Sequence, residues 1–158
     1  MRATCPAPSW GAQRTPEHPF VYRLVGCLRN SSDGVRVAPA MTQGHTISTH
    51  AEDVHVEVRL GGELVADSRK PVLLEETGLA TAYYLPKDDL CADARPIELS
   101  THCPFKGDAS YWTIEVGDRT HDAIAWSYEE PNEGAEDIEG RVAFFADRAE
   151  ILVDGVAV

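Results

Sequence analysis

His102, Cys103 and Lys106 stand close together in Ser100-Thr101-His102-Cys103-Pro104-Phe105-Lys106-Gly107, a grouping with several chemical uses. A thiol becomes a nucleophile as its thiolate, and a lysine three positions on in a turn favours that form, with His102 as a candidate base. The same residues support a second reading. Successive strand residues point to opposite faces, and the residue before a proline is held extended, so Cys103 also suits a strand-end sulfur facing the core. Gly107 gives the backbone freedom that would let the Lys106 ammonium face a carboxylate or phosphate. Neither GxxxxGK[ST] nor GxGxxG occurs, so the usual nucleotide cradles are absent from the sequence.

The aromatic residues Tyr83, Tyr84, Tyr111, Trp112, Trp126, Tyr128, Phe144 and Phe145 fall in strand-like stretches. Alternation divides each adjacent pair between two faces, which leaves some for the core and some for a pocket. Tyr84, Tyr111, Trp112, Trp126 and Tyr128 are the candidate ligand-binding rings. Among the acids, Glu75 and Glu76 follow Val72-Leu73-Leu74, and a glutamate carried inward by that run needs a counter-charge. The expectation is a Lys106–Glu75 pair at the mouth of an aromatic pocket, with Cys103 packed behind it as a structural sulfur.

Three function classes follow. The first is a small-molecule binding module using that pocket. The second is an enzyme, either thiol-dependent through Cys103 or transferring a nucleotidyl group through Lys106. The third is an interaction or scaffold domain using its acidic surface, which includes the solvated run Glu129, Glu130, Glu133, Glu136, Asp137 and Glu139. No metal and no cofactor is expected, because Cys5, Cys27, Cys91 and Cys103 contain no CxxC pair.

The elements that must position these residues read as strands. Val54 to Leu60 alternates cleanly, with the valines and Leu60 on one face and His55, Glu57 and Arg59 on the other. Gly61-Gly62 permits a tight turn, and Leu64 to Ser68 returns. Pro71 to Glu75 and Thr81 to Leu85 pair around Thr77-Gly78. Further strands fit Ile97 to Ser100, Ala109 to Val116, Ala123 to Tyr128, Val142 to Ala146 and Glu150 to Val153, with hairpin turns at Gly117-Asp118 and Asp147-Arg148. Single helical turns are expected near Pro86 to Leu90 and within Pro131 to Ile138. The sum is an all-β fold, a single antiparallel β domain with short helical turns only.

Composition bounds the partners. Residues 1–40 carry a charge of +3 and residues 41–158 a charge of -15. So acidic a surface repels phosphate backbones and anionic lipid, so neither nucleic acid nor membrane is expected as a partner. With no signal-like N-terminus or long apolar run, the sequence suggests a cytoplasmic protein. Five prolines and no sustained periodicity mark residues 1–40 as a disordered or non-native extension, with the β domain over 41–158.

Taken together, Gly62-x-x-Val65-Ala66-Asp67-Ser68, Leu74-Glu75-Glu76, Tyr83-Tyr84-Leu85-Pro86-x-x-Asp89, Thr101-x-Cys103-Pro104-x-Lys106-Gly107-x-Ala109-x-Tyr111-Trp112, Ala125-Trp126-x-Tyr128-x-x-Pro131 and Val142-Ala143-Phe144-Phe145 resemble the domain of unknown function 427 family. The resemblance runs from about Val54 to Gly155. It implies a β-tent or roll-like domain and brings a nucleotidyltransferase-like label. The zinc of many β-tent relatives needs two CxxC pairs, so the resemblance carries no zinc to this chain.

Overall fold

In the computed structural model, which describes residues 44–158, strand geometry follows the side-chain alternation closely. Val56, Val58 and Leu60 are buried while Glu57 and Arg59 between them are half-buried, the period-2 pattern of a strand with one face on a core. The expected extension over residues 1–40, with its one apolar stretch Phe20 to Leu28, lies outside the described residues.

Eleven strands follow in order: β1 (Ile47–Ala51), β2 (Val56–Leu60), β3 (Glu63–Ser68), β4 (Val72–Glu76), β5 (Ala82–Tyr84), β6 (Asp93–Cys103), β7 (Gly107–Val116), β8 (Arg119–Tyr128), β9 (Val142–Phe144), β10 (Glu150–Val153) and β11 (Val156–Ala157). Among the described residues the only helical pieces are two 3-10 turns, Lys87–Asp89 and Glu136–Ile138. Among the described residues no helix is long and apolar enough to cross a membrane. The fold is all-β.

The strands form three antiparallel sheets, ordered β1-β4-β5, β11-β10-β2-β3 and β6-β7-β8-β9. The first sheet joins the third where Leu85 and Val142 exchange backbone hydrogen bonds at 2.8 and 2.9 Å. Trp112, Ala125 and Phe144 pair across the third sheet on one face, and Tyr111, Trp126 and Ala143 on the other. Each face carries its own core. Trp112, Ile114, Ala125 and Phe144 pack against Val56, Val58, Val65 and Ile151 of the second sheet. Tyr111, Trp126, Ala109 and Tyr128 pack against Val72, Leu74 and Tyr84 of the first.

Three sequence expectations need correction. Asp147-Arg148 is not a hairpin turn but a crossing between sheets, since β9 pairs with β8 and β10 pairs with β2. β6 starts at Asp93 rather than Ile97, and Pro96 is tolerated within it because β6 is an edge strand that needs no amide on its open side. β1 and β11 were not expected at all; β1 has only a weak alternation and gains its order from pairing with β4 along its whole length.

Candidate functional site

The hairpin between β6 and β7 sets the centre of the site. Cys103 pairs with Gly107, and the loop Pro104-Phe105-Lys106 is clamped by Asn132, whose backbone N–H donates to the Lys106 carbonyl at 3.0 Å and whose side chain donates to the Pro104 carbonyl at 3.2 Å. Gly107 has φ +99, and a Cβ there would lie 3.1 Å from the Glu130 carbonyl oxygen. Only glycine meets both demands. The clamp turns the Lys106 side chain inward until only 8% of the residue is exposed.

There Lys106 Nζ donates to a Glu76 carboxylate oxygen. The partner expected from the sequence was Glu75, and the structure corrects it. On β4 the residues Val72, Leu74 and Glu76 share the buried face, whereas Glu75 is exposed. The other Glu76 oxygen lies 3.0 Å from His45 Nε2, and the His45 ring stacks on Phe105 with centroids 4.4 Å apart. His45 and Phe105 were not singled out from sequence, because their contact joins the approach to β1 with the β6–β7 loop and no local pattern signals it.

Around this polar group lie the rings. Trp126 Nε1 donates to Tyr84 Oη at 3.0 Å, Tyr84 meets Tyr128 at a tilt, and Thr101 Oγ1 shares a 2.8 Å hydrogen bond with Tyr111 Oη. Phe145 packs beside both Trp126 and Tyr111. Burial pushes the Tyr84 phenol above the usual tyrosine range; the Trp126 donor opposes the rise, and the neighbouring Glu76, Cys103 and Tyr111 add to it. Tyr84 is therefore a neutral hydroxyl near the Glu76 charge. Cys103 is a free, buried thiol in the same cluster. His102 points outward, with Nδ1 2.7 Å from Asp108 Oδ1 and both side chains largely exposed, so it does not converge on the sulfur.

Trp112 is the candidate that separates from the rest. It faces the other core, where Nε1 donates to Ser127 Oγ at 2.8 Å and the Lys87 ammonium sits 4.5 Å above the ring. With Leu90, Ala94, Pro96 and Val142 it lines a mainly apolar cavity of about 290 Å³. Ser127 and Lys87 both donate to Glu129 Oε1 at 2.6 Å. Desolvation alone would raise the Glu129 pKa and is the largest single influence, but these donors and the Lys87 charge together hold it below its ordinary value.

Fold and site thus define an antiparallel all-β domain with a buried ion pair beside a mixed aliphatic and aromatic cluster, formed where a β-hairpin loop meets a neighbouring sheet. A family model described as a domain of unknown function (DUF427) matches residues 48–155, and the chain belongs to that family. The match takes in most of β1, which lies ahead of the stretch where the sequence resemblance begins. No curated protein matches the chain.

Proposed function

We propose that the domain binds a small molecule at the Lys106–Glu76–His45 group and the rings of Tyr84, Tyr111 and Trp126 beside it. The observation that carries this reading is the burial of the Lys106–Glu76 pair, whose carboxylate lies near the Tyr84 phenol and bonds His45, itself stacked on Phe105. Replacing a buried ion pair by well-packed apolar residues often gains about 1–4 kcal/mol, so stability is a poor reason to keep one there. An ammonium with donors to spare beside a carboxylate suits a ligand edge carrying both an acceptor and a donor, and the rings suit its planar body. Partly exposed His45 and Phe105 form the approach. The burial of Cys103 and the outward turn of His102 favour binding over a thiol-dependent reaction.

A second location is favoured by a different observation, the cavity on the Trp112 side. A thermal-shift screen of a metabolite panel, with nucleoside triphosphates and magnesium alongside, tests both. Metabolite stabilisation that disappears in Lys106→Met and Glu76→Gln but persists in Cys103→Ser is the expected result. Stabilisation by nucleoside triphosphates alone would replace this reading with the transferase one, and loss in Cys103→Ser would replace it with the thiol enzyme. Loss only on filling the cavity with Ala94→Leu would move the ligand to Trp112.

A further inference from the structure

The outer face of the β2–β3 hairpin, away from both cores, carries its own group of chemically competent side chains. In the register of this hairpin Glu57 stands directly opposite Asp67, so two carboxylates are set side by side across the strands. Like charges in that relation destabilise a strand pair unless something positive lies between them. His55, two residues before Glu57 and on the same face, brings Nε2 to 2.7 Å from Asp67 Oδ1. One donor atom from each of the three side chains lies within 4.8 Å of the other two. None is freely solvated, with side-chain exposures of 24% for His55, 22% for Glu57 and 32% for Asp67.

We infer that His55, Glu57 and Asp67 form a binding site for a divalent first-row transition ion, with Zn²⁺ the best fit. Magnesium and calcium take shells of oxygen donors, which an imidazole nitrogen interrupts, and copper(I) or iron–sulfur chemistry asks for thiolates, which the group lacks. Ligand atoms held about 2.0–2.2 Å from one ion lie roughly 3–3.6 Å apart, so small rotamer changes bring this triad into place. The His55 tautomer with its hydrogen on Nδ1 turns the Nε2 lone pair toward the ion together with the Asp67 oxygen. Three protein ligands on a half-exposed face leave the remaining coordination positions to water, as in open rather than closed sites.

The backbone holds the histidine in register. The His55 N–H donates to Asp154 Oδ1 at 3.0 Å, and its carbonyl accepts the Asp154 N–H at 2.8 Å, with Asp154 itself at φ 50 in the left-handed region. Arg59 Nη2 lies 3.2 Å from Glu57 Oε1. That guanidinium occupies one carboxylate oxygen, leaves the other to the ion, and weakens the site by its charge.

The test is calorimetric titration of the full chain with Zn²⁺, repeated on His55→Gln, Asp67→Asn, Glu57→Gln, Arg59→Gln and Cys103→Ser. In parallel, Mn²⁺ is added to isotope-labelled protein and the paramagnetic broadening of amide signals is mapped. One saturable site is expected, weakened roughly tenfold or more by His55→Gln and by Asp67→Asn. Arg59→Gln should tighten it several-fold, Cys103→Ser should leave it unchanged, and broadening should centre on Glu57, Asp67 and the adjoining Leu152. The three ligand substitutions are near-isosteric and half-exposed, so any one that still folds by circular dichroism suffices. Absence of saturable binding at millimolar Zn²⁺ would overturn the inference, as would affinity indifferent to His55→Gln and Asp67→Asn. Broadening centred on the acidic loop Glu129 to Glu139 would overturn it too.

Discussion

Lys106 carries the main question at the scale of single residues, because its ammonium is buried and its charge partner is one particular carboxylate. Removing one member of a buried pair leaves the other unpaired, at a cost of about 3–5 kcal/mol, whereas replacing both is often neutral or better. Lys106→Met should therefore lower the unfolding free energy by about that much, and Lys106→Met combined with Glu76→Leu should recover most of it; urea denaturation of the two variants measures both. A double variant no more stable than the single one would show that the pair itself holds the loop. Gly107→Ala should cost about 1–3 kcal/mol in the same assay, from left-handed strain together with the approach to the Glu130 carbonyl. Lys106, the grouping of Tyr84, Tyr111, Trp126 and Tyr128 and the buried sulfur were legible in the sequence; the identity of the glutamate and the separate place of Trp112 were not. Val72-Leu73-Leu74 is apolar on both faces, so counting apolar neighbours cannot set the phase of β4. The phase comes from the pairing of Val72 with Tyr84 and of Leu74 with Ala82, which places Glu76 in line with them. His55, Glu57 and Asp67 were hidden for the same reason, since only the register sets Glu57 against Asp67.

Elements were legible where the pattern was local and obscure where pairing decided it. The alternation of β2, the Gly61-Gly62 turn and the Gly117-Asp118 turn follow from neighbouring residues alone. β1 and the long β6 owe their extent to partners far away in sequence, and the crossing at Asp147-Arg148 looks locally like any polar turn. The β7–β8 pair holds a further device invisible in the sequence. Thr113 faces the stretch from Asp122 to Ile124, the register slides there, and Ala123 adopts φ 44, a costly conformation for a residue with a Cβ. Arg148 secures it by donating through Nη1 to the Ala123 carbonyl at 2.9 Å and through Nη2 to the Asp122 carbonyl at 2.7 Å. Arg148→Leu should cost about 1–3 kcal/mol and speed hydrogen exchange at Phe145, whose amide bonds to the Ile124 carbonyl. Unchanged exchange there would mean that the bulge is held by packing alone.

At the scale of the whole molecule the third sheet is shared property, for alternate residues of β7 and β8 feed two different cores. Neither core can open without exposing the back of the sheet that supports the other, and the Leu85–Val142 bridge ties the first sheet to the third just where Tyr84 enters one core and Leu85 the other. Such an arrangement should unfold as one cooperative unit. Ile151 on β10 belongs to the core under the second sheet, and Ile138, fully buried in the 3-10 turn, belongs to the core under the first. Ile→Ala at either place removes about 2–5 kcal/mol, the spread reflecting how far each site collapses around the lost atoms. Fluorine-labelled tryptophan gives each core its own reporter, Trp112 for one and Trp126 for the other, and their resonances can be followed through a urea titration. Both should report the same midpoint in the parent chain and shift together in Ile151→Ala and in Ile138→Ala. If Ile138→Ala moved the Trp126 midpoint and left that of Trp112 in place, the two faces would be separate folding units. The Lys106–Glu76 site would then sit on a unit able to open for a ligand without disturbing the other.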